Sequence, residues 1–132
     1  MTQDPAASPS ACSAPRGTPA DGGGPMSLST HVLDAMLGRP AEGVAVRLER
    51  DGRVVGEGVT DGDGRLRDWL PDGEPGAGVY RLVFGTGAYF AAAGVDAFYP
   101  EVVVTFAVAD PTAHHHVPLL LSPFAYSTYR GS

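Results

Sequence analysis

The chain has 132 residues, of which 43% are hydrophobic, so it is long enough for one domain with one buried core. Its formal net charge is −6 and its isoelectric point is about 5.0, which disfavours nucleic-acid binding because neutralising phosphates requires clustered Lys and Arg. The chain has one cysteine, Cys12, so it cannot form a disulfide within itself. No apolar run reaches the roughly 20 residues of a membrane-spanning helix. We therefore expect a cytoplasmic protein that binds neither nucleic acid nor membrane.

The first predicted element in chain order is a tail, residues 1–26, composed mainly of Ala, Pro, Ser, Gly and Thr. A segment with so few apolar side chains cannot offset the entropy lost on ordering, so we predict that it is disordered. It also lacks the apolar middle of a signal peptide. The folded domain is predicted over residues 27–132, and the sequence leaves open whether the tail is native or Met26 is the functional start.

From Ser27 onward the sequence has the period-two alternation and the turn residues of β-strands. The predicted strands and turns, in order, are LSTHVLD, broken at Gly38 and Pro40; VAVRLER (44–50); a hairpin turn at Asp51-Gly52; RVVGEGVT; a turn at DGDG (61–64); GVYRLVF (78–84); EVVVTFAVAD (101–110); HHHVPLLLS; and FAYSTYR.

One short helix is predicted at TGAYFAAAG (86–94), ended by Gly94. Alternation within the strand before it puts Tyr80, Leu82 and Phe84 on one face. Many short strands with regular turns and a single short helix predict an all-β sandwich of two sheets.

Three consecutive histidines lie on a predicted strand in AHHHVPLLL. His114 and His116 are two residues apart, so their side chains point the same way, whereas His115 points to the opposite face. Two imidazoles on one face are typical of a metal pair or of a general base with its partner. A solvent-facing, polar end of a strand explains the spacing equally well.

Two further polar side chains are candidates for a site. His31, in LSTHVLD, is predicted to face away from Val32 and to share a face with Ser29. Arg65 directly follows the DGDG turn, where its guanidinium would clamp a planar anionic ligand through two hydrogen bonds. Taken singly, each is also explained as a solvated side chain on an open face.

Familiar catalytic motifs are absent from the sequence. TDGDGR fails the EF-hand pattern, GTG at 85–87 is only half of a dinucleotide fingerprint, and neither a P-loop nor G-x-S-x-G occurs. Cys12 lies in the predicted tail, where it is a poor candidate for a nucleophile. We therefore predict no cofactor.

The chain ends in YSTYRGS, with aromatic residues typical of a strand where most chains are frayed and polar. This ending, together with LSTHVLD, the turn before Arg65, HxHVPLLLSP, GAYF and FYPEVVV, resembles the 5-hydroxyisourate hydrolases of the transthyretin-like family. The resemblance covers residues 27–132, and the terminal Tyr-Arg-Gly-Ser is its most specific part because hormone-binding transthyretins lack it.

The resemblance implies a two-sheet, eight-strand sandwich with one short helix. It also implies a homotetramer, a dimer of dimers, with active sites at the interface between dimers and 5-hydroxyisourate as the small-molecule substrate. In the family the middle residue of the H-x-H motif is commonly aromatic, and here it is His115.

Site residues carry over from the family one by one. His31, Arg65 and His116 match the catalytic set, which would position a water, remove its proton and supply positive charge to the developing oxyanion. His31 and Arg65 also match the substrate-binding set, whose remaining members here are His114, Tyr129 and Ser132.

Two other functions stay open at this point. One is a transthyretin-like module that binds a small ligand, against which the polar His and Arg set argues. The other is a zinc hydrolase in which His31, His114 and His116 are the three metal ligands. The resemblance implies hydrolysis of 5-hydroxyisourate to 2-oxo-4-hydroxy-4-carboxy-5-ureidoimidazoline without a metal.

Overall fold

The computed structural model describes residues 27–66, 69–70 and 76–131. The predicted tail, residues 1–26, and the terminal Ser132 lie outside the described residues. The disorder predicted for the tail therefore stays a prediction.

The described residues form nine strand segments and one short helix. In chain order they are β1 (Ser27–Asp34), β2 (Arg39–Pro40), β3 (Ala45–Arg50), β4 (Arg53–Val59), β5 (Arg65–Leu66), β6 (Gly78–Phe84), α1 (Thr86–Ala92), β7 (Val102–Val108), β8 (His114–Ser122) and β9 (Ala125–Thr128).

The strands form two sheets. One sheet has the order β2-β1-β8-β9, with β5 also paired to β1, and the other has the order β4-β3-β6-β7. Strands β1 and β8 run parallel, and the other pairings are antiparallel. Because β8 covers one edge of β1, the short segments β2 and β5 share its other edge.

The core lies between the two sheets. Tyr80, Leu82 and Phe84 alternate along β6 and are completely buried, which confirms their predicted common face. Val32 of β1 and Leu119 of β8 are buried opposite them. The predicted all-β, two-sheet sandwich is thereby confirmed. The resemblance implied eight strands, and the described residues contain seven of four residues or more and two segments of only two residues.

The predicted turns and helix are also found. Asp51 and Gly52 both have positive φ, 53° and 77°, and join β3 to β4 as a hairpin. Helix α1 ends at Ala92, just before Gly94, within the predicted segment. Most of the candidate site residues lie on the five-stranded sheet.

Candidate active site

His31 and Arg65 lie side by side on the outer face of the five-stranded sheet. They are directly paired in the antiparallel register of β1 and β5, so their side chains project from the same face. Val32, the next residue on β1, is buried in the core, which confirms that His31 points outward. The first two candidates from the sequence are thus brought together by strand pairing.

The turn before Arg65 explains how so short a strand is held in place. One carboxylate oxygen of Asp61 accepts hydrogen bonds from the backbone N–H groups of Asp63 and Arg65, both at 2.9 Å. Gly64 has φ of 73° and lies so close to β1 that a Cβ atom there would collide with the carbonyl oxygen of Val32. The Val32 N–H donates to the Gly64 carbonyl at 2.7 Å. The DGDG turn therefore clamps Arg65 beside His31.

His114 and His116 reach the same face from the other edge of β1. In the parallel register of β1 and β8, Ser27 pairs with His114 and Ser29 pairs with His116. Ser29 is also two residues from His31, so Ser29, His31, His114 and His116 share one face. The predicted common direction of His114 and His116 is confirmed.

Serine hydroxyls connect the two imidazoles. Ser27 Oγ lies 2.7 Å from His114 Nδ1, Ser29 Oγ lies 3.0 Å from His114 Nε2, and Ser29 Oγ lies 2.8 Å from His116 Nδ1. The sequence placed Ser29 on the face of His31 but gave it no role. Its contact with two imidazoles depends on the pairing of β1 with β8, which alternation within β1 cannot predict.

Electrostatics keep His116 neutral. Partial burial lowers the pKa of His116, and the neighbouring positive charges of His114, Arg65 and His31 lower it further. A neutral imidazole at neutral pH has a free lone pair and can accept a proton from water. The surroundings of His116 therefore suit the role of a base.

His115 differs from its neighbours. It points to the opposite face, as predicted, and its Nδ1 is buried without a hydrogen-bond partner among the described residues. Burial is the main cause that lowers the pKa of His115. His115 is therefore a packing residue and takes no part in the cluster on the outer face.

The end of the chain passes over His116. The Gly131 N–H donates to the His116 carbonyl oxygen at 2.9 Å. A Cβ atom at Gly131 would collide with the imidazole of His116, so only glycine permits this approach. Tyr129, two residues earlier, is 58% exposed, and Ser132 lies outside the described residues. This contact brings Gly131 to the histidine cluster.

The described part of the chain holds no group of three His, Cys, Asp or Glu side chains placed to bind a metal ion. Both ring nitrogens of His114 contact serine hydroxyls instead. Nor does any helix within residues 27–66, 69–70 and 76–131 have the length and apolarity needed to cross a membrane.

A second concave surface lies on the outer face of the four-stranded sheet. Its lining includes Arg47, Glu57, Val59 and Glu101. Arg47 is ion-paired with Glu49 at 2.7 Å, and no histidine contributes to the lining. The histidine cluster on the outer face of the other sheet is therefore separate from this second surface.

Fold and site together define a class: a transthyretin-like sandwich that carries imidazoles and a guanidinium on the outer face of one sheet. The HIUase/Transthyretin family matches residues 28–131. The chain belongs to this family, as its resemblance predicted.

Relatives by sequence are named as hydrolases. The chain is 51% identical over 114 residues to 5-hydroxyisourate hydrolase 2 of Rhizobium meliloti (strain 1021), an alignment that covers 80% of this chain and 95% of the relative. It is 45% identical over 109 residues to 5-hydroxyisourate hydrolase of Salmonella typhimurium, covering 80% of each.

Solved structures with this fold include proteins of both functional classes. The 5-hydroxyisourate hydrolase of Klebsiella pneumoniae has a TM-score of 0.74 at 42% identity, and the alignment covers 80% of this chain and 99% of that chain. Sea bream transthyretin in complex with thyroxine has a TM-score of 0.73 at 34% identity, with 79% of this chain and 93% of that chain aligned. Since the fold serves both, the side chains of the site must decide between them.

Proposed function

We propose that this chain is a 5-hydroxyisourate hydrolase, which converts 5-hydroxyisourate to 2-oxo-4-hydroxy-4-carboxy-5-ureidoimidazoline in the degradation of urate toward allantoin. The observation that carries the proposal is the cluster of His31, Arg65 and His116 on one open face. The names of the relatives at 45% to 51% identity agree with it.

The reaction adds one water across a carbon–nitrogen bond of a cyclic amide. His116, whose pKa is lowered by burial and by the neighbouring charge of Arg65, takes a proton from the attacking water. The water oxygen bonds to the carbonyl carbon, and Arg65 stabilises the oxyanion that forms. The carbon–nitrogen bond then breaks, and the nitrogen takes the proton back from His116. His31, paired with Arg65 across β1 and β5, orients the water.

The remaining substrate-binding residues come from the resemblance. His114 lies on the same face as His116, and Tyr129 precedes the contact between Gly131 and His116. We assign to Tyr129 a hydroxyl contact with the bound purine, and to Ser132 a contact through its hydroxyl. The approach of Gly131 to His116 supports this assignment of the chain terminus.

We also propose that the chain works as a homotetramer, a dimer of dimers, with the active site at the interface between dimers. Exposed apolar side chains support an assembly, because Phe124 is 68% exposed and Met36 and Leu37 are nearly half exposed. Light scattering of the purified chain tests this proposal, and a monomer at assay concentrations would contradict it. A cytoplasmic location stays a prediction.

The second candidate, a carrier of a small ligand, is favoured by the 34% identity to sea bream transthyretin. The imidazole and guanidinium groups argue against it, because an apolar ligand needs an apolar site.

The experiment that tests the proposed function is to mix the purified chain with freshly made 5-hydroxyisourate, with and without a chelator. The decay of the ultraviolet absorbance of the substrate is then followed.

Each function has its own result in this assay. We expect decay well above the spontaneous rate, equally fast with chelator, because the proposed mechanism uses no metal. Decay at only the spontaneous rate would contradict the hydrolase and leave the carrier. Activity that is lost to chelator and restored only by zinc would replace the mechanism by one with His31, His114 and His116 as ligands.

A further inference from the structure

Four side chains form a hydrogen-bonded row along the outer face of β1 and β8. The row runs Ser27, His114, Ser29, His116, with successive contacts of 2.7, 3.0 and 2.8 Å. Ser27 is exposed to solvent at one end. His116, whose Nε2 has no hydrogen bond to any described residue, is at the other end, next to His31 and Arg65.

The chemistry of a hydroxyl links the two imidazoles. Ser29 has one hydrogen and can donate it to only one of its two imidazole partners, so toward the other it must accept. If Ser29 donates to His116 Nδ1, then His114 must carry its hydrogen on Nε2 and donate to Ser29. If Ser29 donates to His114 Nε2, then His116 must carry its hydrogen on Nδ1. In each case neutral His114 and His116 are the same tautomer.

We propose that Ser29 is a positioning residue that couples the tautomer of His116 to that of His114, and that the row is a proton relay between the active site and solvent at Ser27. This inference rests on the proposed function for its catalytic consequence, but the hydrogen-bond row itself exists without substrate.

The relay balances one proton in against one proton out. At the start both imidazoles carry hydrogen on Nδ1, and His116 Nε2 holds a lone pair. As His116 Nε2 takes the proton of the attacking water, the His116 Nδ1 hydrogen passes to Ser29 and the Ser29 hydrogen passes to His114 Nε2. The His114 Nδ1 hydrogen passes to Ser27, whose own hydrogen leaves to solvent.

The reverse movement completes the reaction. His116 now carries its hydrogen on Nε2 and gives it to the departing nitrogen, and a proton entering at Ser27 restores each hydrogen to its first position. Neither imidazole needs to hold a full positive charge at any stage. This matters because burial and the neighbouring guanidinium of Arg65 disfavour a charged His116.

The first test needs no substrate and no variant. Nitrogen-15 NMR of the imidazoles, at about pH 8.5 where histidines are neutral, measures the Nδ1–H to Nε2–H ratio of each ring. We expect equal ratios for His114 and His116 in the wild-type protein, and loss of that equality in Ser29→Ala. Opposite tautomers in the wild type, or an unchanged equality in Ser29→Ala, would overturn the relay.

The second test is kinetic and uses a matched pair. We expect Ser29→Ala to lower kcat by about 10- to 100-fold, part of the ~10²–10⁴-fold that a general base supplies, with KM changed about twofold at most. Ser29→Thr, which keeps the hydroxyl, should retain most of the wild-type kcat. Wild-type kcat in Ser29→Ala would overturn the proposal. If the wild-type protein itself fails to hydrolyse 5-hydroxyisourate, the proposed function fails, and the tautomer ratios still decide the relay.

Discussion

The two faces of strand β1 carry polar side chains in opposite settings. On the inner face, Thr30 and Asp34 are buried, and each hydrogen-bonds within the core. Thr30 donates to the Val117 carbonyl at 2.6 Å, and Asp34 accepts from two backbone N–H groups and from the Tyr89 hydroxyl. On the outer face, Ser29 and His31 are only partly buried and lie beside further imidazoles and Arg65.

The difference separates stability from chemistry along one strand. Burial of Tyr89 and its hydrogen bond to Asp34 raise the pKa of the Tyr89 hydroxyl to about 12, so this hydroxyl keeps its proton near neutral pH. On the outer face, burial and the neighbouring Arg65 lower the pKa of His116, which weakens its proton binding. The inner network therefore belongs to the core, and the outer one contains the proposed site.

The largest expected effect is on the outer face. His116→Asn removes the proposed acceptor of the water proton, so we expect the turnover of 5-hydroxyisourate to fall by at least ~10²-fold. The melting temperature should change little because the side chain is on an open face. Steady-state rates and thermal unfolding measure both quantities, and a variant with the wild-type rate would show that His116 is not the base.

The chain terminus should also matter for function. A protein ending at Thr128 lacks Tyr129 to Ser132, so we expect weaker substrate binding and incomplete assembly, measured as KM and by light scattering. A tag added after Ser132 should damage activity as well, because it crowds the proposed site. Two fully active tetramers would reduce the terminus to an ordinary edge strand.

Substitutions on the inner face should lower the stability of the protein instead. Asp34→Ala leaves two backbone N–H groups and the Tyr89 hydroxyl without their acceptor, so we expect the free energy of unfolding to fall by about 3 kcal/mol. Tyr89→Phe, which removes a single hydrogen bond, is the matched control and should cost about 1–2 kcal/mol. Denaturant unfolding measures both, and equal losses would show that the backbone contacts of Asp34 contribute nothing.

A smaller effect concerns pH. Burial lowers the folded-state pKa of His115 and of His116 below the value of about 6.5 expected in the unfolded chain. The unfolded chain therefore binds more protons as the pH falls, so stability should be complete above about pH 6.5 and decline below it. His115→Phe should make this decline shallower and leave activity at neutral pH intact. An unchanged pH profile in that variant would exclude His115 as a source.

The smallest expected effect is that of the tail. Deleting residues 1–25, which contain almost no apolar side chains, should leave the melting temperature and the activity unchanged. A loss of several degrees in the shortened protein would mean that the tail packs on the domain.

Local patterns were enough to predict the elements but not their contacts. Alternation predicted β6 at Gly78–Phe84 and the common face of His114 and His116, and the structure agrees. The role of Ser29 depends on a parallel pairing between segments 87 residues apart, which no local pattern encodes. The bond from Tyr89 to Asp34 spans 55 residues and was missed for the same reason.

The family resemblance supplied what alternation could not. Taken singly, Arg65 is also explained as a solvated arginine, and its match to the family is what assigns it to the site. Only the pairing of β5 with β1 explains why it lies beside His31. Gly131 is a similar case. Glycine is required at this position because it lies against the imidazole of His116, and not because of a turn.

The most direct test of the separation between the two faces is one crossed measurement on Arg65→Ala and Tyr89→Phe. For each variant, kcat/KM for 5-hydroxyisourate and the free energy of unfolding are measured on the same preparation. We expect Arg65→Ala to lose at least ~10²-fold in kcat/KM with little change in stability, and Tyr89→Phe to lose about 1–2 kcal/mol with nearly wild-type kcat/KM. Wild-type activity in Arg65→Ala, or an equal loss of activity in Tyr89→Phe, would contradict the assignment of chemistry to the outer face of β1.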